Sequence, residues 1–274
     1  MAEIVAAMGV PHTPMFPALV ARLGSECEVA RLYAEVARQL AAVQPDVLVI
    51  FDSDHLNTFF LNNLPVFSVG VGARISGPND ETPMPHYEVP VHDRLAAHLR
   101  HGGVEAGFDL ALAQDFTVDH PIMVPLHFLT PQMQTPVVPM FINGLVPPLP
   151  AAKRCFALGE AVRKAIHRWP QGLRVAVLAS GSFSLEVGGP RINPGGAFGV
   201  PDPEWAKTIQ KYLEQARIND LLEEATSDRM LRAGNVGGEL LNWVAMLGVT
   251  GDRKPSFIEP QLEMGHCYGI WRWD

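Results

Sequence analysis

The stretch Val47-Leu48-Val49-Ile50-Phe51-Asp52-Ser53-Asp54-His55-Leu56-Asn57 decides the fold. Its first five residues are apolar without alternation, which predicts a strand buried on both faces, as in a parallel sheet. The polar tail from Asp52 to Asn57 predicts a loop at the carboxyl end of that strand, presenting His55. Upstream, Ser25 to Val43 places Leu32, Val36 and Leu40 on one helical face, with Ser25 and Glu28 at capping-box spacing. Pro45-Asp46 ends that helix. Earlier still, Ile4 to Val10 predicts a second buried strand, which runs into the rigid loop Pro11-His12-Thr13-Pro14. Strand, helix and strand in this order form a parallel unit, and both strands deliver a histidine at the carboxyl end.

The same pattern continues outward. Val66 to Val71, Val137 to Ile142 and Arg174 to Ala179 are strand candidates. Val91 to Arg100, Ala152 to Arg168, Pro203 to Ala216 and Gly238 to Leu247 are helix candidates. Alternation of this kind predicts an α/β fold with a mostly parallel central sheet and helices on both faces. Ligands of such sheets bind outside the carboxyl ends of the strands, which is where the metal or substrate site is expected. Gly188 to Pro203, rich in Gly and Pro, is expected to form a loop or lid, and no composition shift marks a domain boundary.

Composition removes several functional classes. The chain has 274 residues, 47% hydrophobic and 18% charged, which excludes global disorder. The net charge of −8, with no Lys/Arg block longer than two, offers a phosphate backbone no electrostatic footprint, so a nucleic-acid partner is not expected. The apolar runs are strand-sized, far below the roughly 20 residues needed to cross a bilayer. The start Met-Ala-Glu-Ile-Val lacks the basic region of a signal peptide, so no membrane association and a cytoplasmic location are expected. Three widely separated cysteines, Cys27, Cys155 and Cys267, favour free thiols in a reducing compartment. The 24 prolines, about 9% against a usual level near 5%, predict rigid connections.

Ten histidines make that residue type the one to follow. His12 and His55 each have an ordinary reading as loop imidazoles bonded to nearby backbone. Their positions past two strand ends also let them converge on one ion at the sheet edge. Glu239 follows the Gly-rich turn Gly234-Asn235-Val236-Gly237-Gly238, which brings a carboxylate close. It reads either as a first-turn acid complementing the helix dipole or as a third ligand.

Four segments taken in order carry a resemblance. Val10-Pro11-His12-Thr13-Pro14, Phe51 to Phe60, Asp119-His120-Pro121-Ile122-Met123-Val124-Pro125-Leu126 and Gly237-Gly238-Glu239-Leu240-Leu241-Asn242-Trp243 together resemble the class III extradiol ring-cleavage dioxygenases. That superfamily includes the catalytic β subunit of protocatechuate 4,5-dioxygenase and gallate dioxygenase. The resemblance spans nearly the whole chain and implies one catalytic domain over residues 1–274. It implies that His12, His55 and Glu239 bind non-haem Fe(II), in agreement with the 2-His-1-carboxylate pattern that leaves open positions for a catecholate and O2. Zinc suits the same donors and is the less expected ion. It further implies that His120 acts as an acid/base group near a catecholic or gallate-like substrate.

One departure stands out. In the family the strand Val175 to Ala179 leads to a motif ending in a second acid/base histidine, whereas here the run is Ser180-Gly181-Ser182-Phe183-Ser184-Leu185-Glu186, with Leu185 at the histidine's place. Glu186, His120 or His127 then takes over, or the substrate needs less proton transfer. Arg191 and Asn193 are candidates to clamp a substrate carboxylate, so that Leu185, Glu186, Arg191 and His127 form the expected substrate-binding group. His266 is left open. Two other functions stay in view: metal-dependent oxidation or hydrolysis of a non-catecholic substrate, and a non-catalytic homologous subunit. The family implies a homo-oligomer or a small helical partner that covers the site.

Overall fold

The computed structural model describes residues 1–273. The chain begins with β1 (Ala2–Val10), α1 (Phe16–Leu23), α2 (Glu28–Ala42), β2 (Val47–Asp52), β3 (Phe67–Gly70), β4 (Arg74–Gly77) and β5 (Tyr87–Pro90). It continues with α3 (Asp93–Glu105), β6 (Leu110–Ala113), α4 (His120–Leu129), β7 (Val137–Ile142), α5 (Ala152–Arg168) and β8 (Leu173–Ser180). The ribbon β9 (Glu186–Val187) and β10 (Phe198–Gly199) precedes α6 (Pro203–Gln215), α7 (Ile218–Glu224) and α8 (Ser227–Arg232). After a 3-10 turn at Gly237–Glu239 come α9 (Leu240–Thr250), β11 (Phe257–Gln261) and β12 (His266–Arg272).

Eight strands form one sheet in the order β11-β12-β1-β8-β2-β7-β3-β6. The four central strands β1, β8, β2 and β7 run parallel, and antiparallel pairing enters only at β12, β11 and the β3–β7 junction. The expected α/β fold with a mostly parallel sheet is therefore the observed one. Every residue of β2 is buried, as an unalternating apolar run requires. One apolar core packs α3, α5, α6 and α9 onto one face, and the other packs α1, α2 and α4 onto the opposite face.

α9 decides where the site forms. All eleven of its residues are buried, because it lies between the sheet and α5. The α5–α9 approach depends on small residues: a Cβ on Gly159 would come 1.9 Å from the Ala245 carbonyl oxygen. A Cβ on Gly9 would likewise strike the Trp243 ring at 2.2 Å, so Gly9 lets α9 lie directly on β1. Trp243 Nε1 donates to the Gly181 carbonyl at 3.1 Å, tying the start of α9 to the end of β8.

Three local expectations need correction. α2 begins at Glu28 with Cys27 as its N-cap, and the Ser25 hydroxyl bonds Glu26 in place of a capping box, because the turn from Gly24 to Cys27 holds Ser25 outside the helix. His120 to Leu129 is a helix absent from the candidates above, because its two prolines mask the helical pattern. Pro121 occupies the first turn, where no N–H is needed, while Pro125 lies inside. Gly188 to Pro203 is mostly loop as expected but contributes β10, whose Phe198 pairs with Val187 of β9, so the segment is tied back at that point. No helix among the described residues is long and apolar enough to cross a membrane.

Candidate active site

His12 lies two residues beyond β1. Its Nδ1 is 2.8 Å from Ser180 Oγ at the end of the adjacent parallel strand β8. The Ser180 hydroxyl donates to the Pro121 carbonyl at 2.6 Å, so it accepts from His12 Nδ1–H and leaves Nε2 bare. Pro125 explains why that carbonyl is available: the residue four positions on would normally supply the N–H, and proline has none. One proline in α4 thereby sets the tautomer of an imidazole after β1.

His55 sits in a loop folded by two aspartates. Asp54 accepts from the backbone N–H groups of Asn57, Thr58 and Phe59 at 3.3, 2.8 and 2.9 Å. Asp119 Oδ2 accepts the His55 N–H at 2.8 Å and the Asn57 amide at 3.1 Å. Leu56 adopts φ 63, a left-handed conformation that a non-glycine residue holds only where its surroundings impose it. The loop is thus pinned at the imidazole it presents.

Glu239, fully buried, completes the cluster from the turn before α9. Its Oε1 lies 3.1 Å from His12 Nε2 and 2.9 Å from His55 Nε2. Its Oε2 accepts the Ser182 N–H at 2.8 Å. Asn242, one turn along, braces the surroundings by donating to the Ser180 carbonyl at 2.8 Å and to Ser53 Oγ at 3.1 Å. Burial would raise the Glu239 pKa, but His12 and His55, when they carry a proton toward it in place of a cation, hold it well below the ordinary carboxylate range by charge and hydrogen bond. Burial would lower His55, yet the hydrogen bond and charge of Glu239, with Asp119 and Asp54 behind it, lift the imidazole to about 9. Burial, and then the neighbouring Asp119, Asp54 and Glu239 carboxylates, push the Asp52 carboxyl well above its ordinary range.

These donors fit a metal ion. A bare Nε2 on His12 faces a carboxylate oxygen at 3.1 Å, two lone pairs that repel unless a cation or a proton lies between them. Metal–ligand bonds of about 2.0–2.2 Å place adjacent donors roughly 3 Å apart, which is the spacing found here. The polar partner on His12 Nδ1 is the kind that orients a metal-binding imidazole.

His120 opens α4 and joins the cluster. Its ring centroid lies 4.7 Å from that of His55 and 5.4 Å from that of His12. Ligand nitrogens of His12, His55 and His120 all fall within 4.8 Å of one another. Its Nδ1 hydrogen-bonds the Asp80 carboxylate. Burial lowers the His120 pKa, with the neighbouring imidazoles adding to that and Asp80 opposing it, so the ring is neutral near pH 7.

The remaining predicted residues do not bond to this cluster. Glu186 pairs with Arg191 at 2.7 Å and accepts the Asn235 N–H at 2.9 Å. Arg191 also donates to the Arg232 carbonyl at 2.6 Å, which commits its guanidinium to stapling the loop. His127, seven residues beyond His120, bonds Tyr87 Oη at 2.7 Å. Leu185 is half-buried, and its carbonyl accepts the Val236 N–H at 3.3 Å. His98 bonds the Ala165 carbonyl at 2.9 Å, and His101 pairs with Glu105 at 3.3 Å. Ser180, Asn242, Asp54, Asp80 and Asp119 are the contributors that sequence reasoning missed. Asp119 was signalled by its place beside His120. Nothing local marks Ser180 or Asp80, whose partners lie far along the chain.

Comparison with known proteins identifies the family. Residues 6–271 match the family model described as the catalytic LigB subunit of aromatic ring-opening dioxygenase. A 2,3-dihydroxyphenylpropionate/2,3-dihydroxicinnamic acid 1,2-dioxygenase of Klebsiella pneumoniae subsp. pneumoniae is 29% identical over 273 residues, covering 85% of each chain. Its Escherichia coli O139:H28 counterpart is 29% identical over 257 residues, covering 80% of each. An uncharacterised protein of Escherichia coli K12 shares the fold with a TM-score of 0.58 at 16% identity, covering 97% of this chain and 99% of that one. With a match across nearly its entire length, the chain belongs to the LigB family of catalytic subunits of aromatic ring-opening dioxygenases.

Proposed function

We propose that the chain is a non-haem Fe(II)-dependent extradiol dioxygenase that opens a catecholic or gallate-like ring. The observation that carries this reading is the convergence of His12 Nε2 and His55 Nε2 on Glu239 Oε1, within 3.1 Å, at the carboxyl edge of the parallel strands. His12, His55 and Glu239 would hold the metal, which when bound acidifies the substrate hydroxyls and brings ring and O2 together. His120, neutral and beside both liganding imidazoles, takes the proton of a substrate hydroxyl at Nε2 and later returns it to an oxygen of the opening ring. A positioned acid/base group of this kind contributes roughly 10²–10⁴-fold. The dihydroxyphenylpropionate relatives support a catechol bearing a carboxylate side chain as the substrate class. Three free cysteines support a reducing, cytoplasmic setting.

The test is anaerobic reconstitution with Fe(II), then oxygen uptake and absorbance scans with catechol, protocatechuate, gallate, 2,3-dihydroxyphenylpropionate and 2-aminophenol. Stoichiometric O2 consumption with a yellow ring-opened product is expected for at least one. Silence across the panel with iron bound would sink the proposal in favour of a non-catecholic substrate. Glu239→Ala should lose iron and activity together, whereas His120→Ala should keep the iron and lose rate.

A further inference from the structure

The small antiparallel arm β4–β5 lies outside the main sheet, and its connecting loop brings one carboxylate, Asp80, to the cluster. Several bonds hold the arm there. Ser76 bridges to Thr117 in parallel fashion, and Val118 N–H donates to the Ser76 carbonyl at 2.9 Å. Asn79 N–H donates to the Val118 carbonyl at 2.9 Å, while the Asn79 amide donates to Thr117 Oγ1 at 2.8 Å and to the Asn57 carbonyl at 3.1 Å. Thr82 N–H turns back onto Asp80 Oδ1 at 3.4 Å. Asp80 and His120 are each therefore a residue or two beyond a backbone junction that locks their two segments together.

We propose that Asp80 is a positioning residue that holds His120 as the Nδ1–H tautomer, with Nε2 bare toward His12 and His55. An ionised carboxylate only accepts, so the nitrogen it bonds must carry the hydrogen. His120 in turn keeps the Asp80 carboxyl well below its ordinary range although burial opposes this, which keeps the acceptor ionised. The Asp80–His120 pair matters more in this chain than a lone histidine would, because Leu185 stands where a second acid/base histidine is expected. Without Asp80 the imidazole is free to carry its hydrogen on Nε2, and it then cannot accept a proton where the substrate lies. The inference rests on the acid/base role proposed above for His120.

Asp80, Asp119 and His120 also place ligand atoms within 4.8 Å of one another, so a second cation is the competing explanation. Asp119 Oδ2 is taken by His55 N–H and Asn57 and His120 Nδ1 by Asp80, while Asp119 Oδ1 has no hydrogen-bond partner, so the metal count in the test below separates the two explanations.

The first measurement is histidine ¹⁵N NMR on the metal-free full chain, with His120 assigned by the signals lost in His120→Gln. An Nδ1–H tautomer is expected in the wild type, with a shift toward Nε2–H in Asp80→Ala. An Nε2–H wild-type signal would overturn the inference without reference to catalysis or to the folding of any variant. The second is a double-mutant cycle on iron-loaded enzyme with the substrate identified above. Asp80→Ala is expected to lower kcat roughly 10²–10³-fold with little change in KM, and to add no loss in a His120→Ala background. Additive losses, two bound metals per chain, or iron loss in Asp80→Ala would each refute the positioning role. An unchanged kcat in His120→Ala would instead sink the acid/base reading and leave the tautomer result standing.

Discussion

His12 Nδ1 and Ser180 Oγ, 168 residues apart, lie at 2.8 Å in a buried hydrogen bond across the β1–β8 pair. The serine passes its own hydrogen to Pro121, whose carbonyl is free because Pro125 cannot donate to it. A strand end and a helix interior are thus coupled to the direction in which one imidazole lone pair points.

Ser180→Ala removes the acceptor and lets His12 rotate or change tautomer. Metal affinity is expected to fall roughly 10–100-fold, the usual consequence of losing such a partner, with the fold retained. Metal titration under anaerobic conditions checks it; unchanged affinity would show that Ser180 does not orient the ligand. Pro125→Ala, which restores a competing N–H, should weaken binding in the same direction and by less.

The α5–α9 contact sets where Glu239 sits. Gly159→Ala forces a methyl against the Ala245 carbonyl and is expected to cost about 1–3 kcal/mol in denaturant unfolding. Metal affinity should fall with it, because α9 must move. Gly172→Ala, where a Cβ meets nothing within 4 Å, is the control and should stay within about 0.5 kcal/mol of wild type.

His266 is buried beside the site on β12, its Nε2–H donating to Gln261 at 2.8 Å. Burial, reinforced by His12, drops its pKa to about 3. Between the unfolded value near 6.5 and this folded value the unfolded chain binds one more proton, so stability falls as pH falls, by up to about 1.4 kcal/mol per pH unit. Urea midpoints measured at pH 7.5, 6 and 5 should drop more steeply in the wild type than in His266→Gln. Parallel slopes would refute the assignment.

Arg191 separates a staple from a substrate clamp. Arg191→Ala leaves the buried Glu186 unpaired and is expected to cost roughly 1–2 kcal/mol, a buried-pair loss discounted for the half-exposed guanidinium. Protease sensitivity over residues 188–203 should rise. KM should change equally for substrates with and without a carboxylate; a selective rise for the carboxylated ones would restore the clamp expected from sequence.

What the amino-acid sequence determined by itself was the frame of this protein. Unalternating apolar runs at Ile4 to Val10 and Val47 to Phe51 can be satisfied only in the middle of a parallel sheet, and residues that follow such strands must arrive at its carboxyl edge. His12 and His55 were therefore legible as neighbours before any coordinate was known. His120 and Glu239 were legible through the family motifs around them. The helix at His120 was hidden by its prolines, and the C-terminal strands β11 and β12 lack a strong period.

The tertiary structure alone decided how these groups are aimed. Ser180 is an ordinary strand-end serine until β8 lies beside β1, and Asp80 is an ordinary loop acid until the β4–β5 arm folds against Val118. Arg191 and Glu186 become each other's partners only when their loop closes on α8. A hydrogen bond between residues far apart in the chain depends on a few tenths of an ångström in packed neighbours, and no local pattern of residue types encodes that distance.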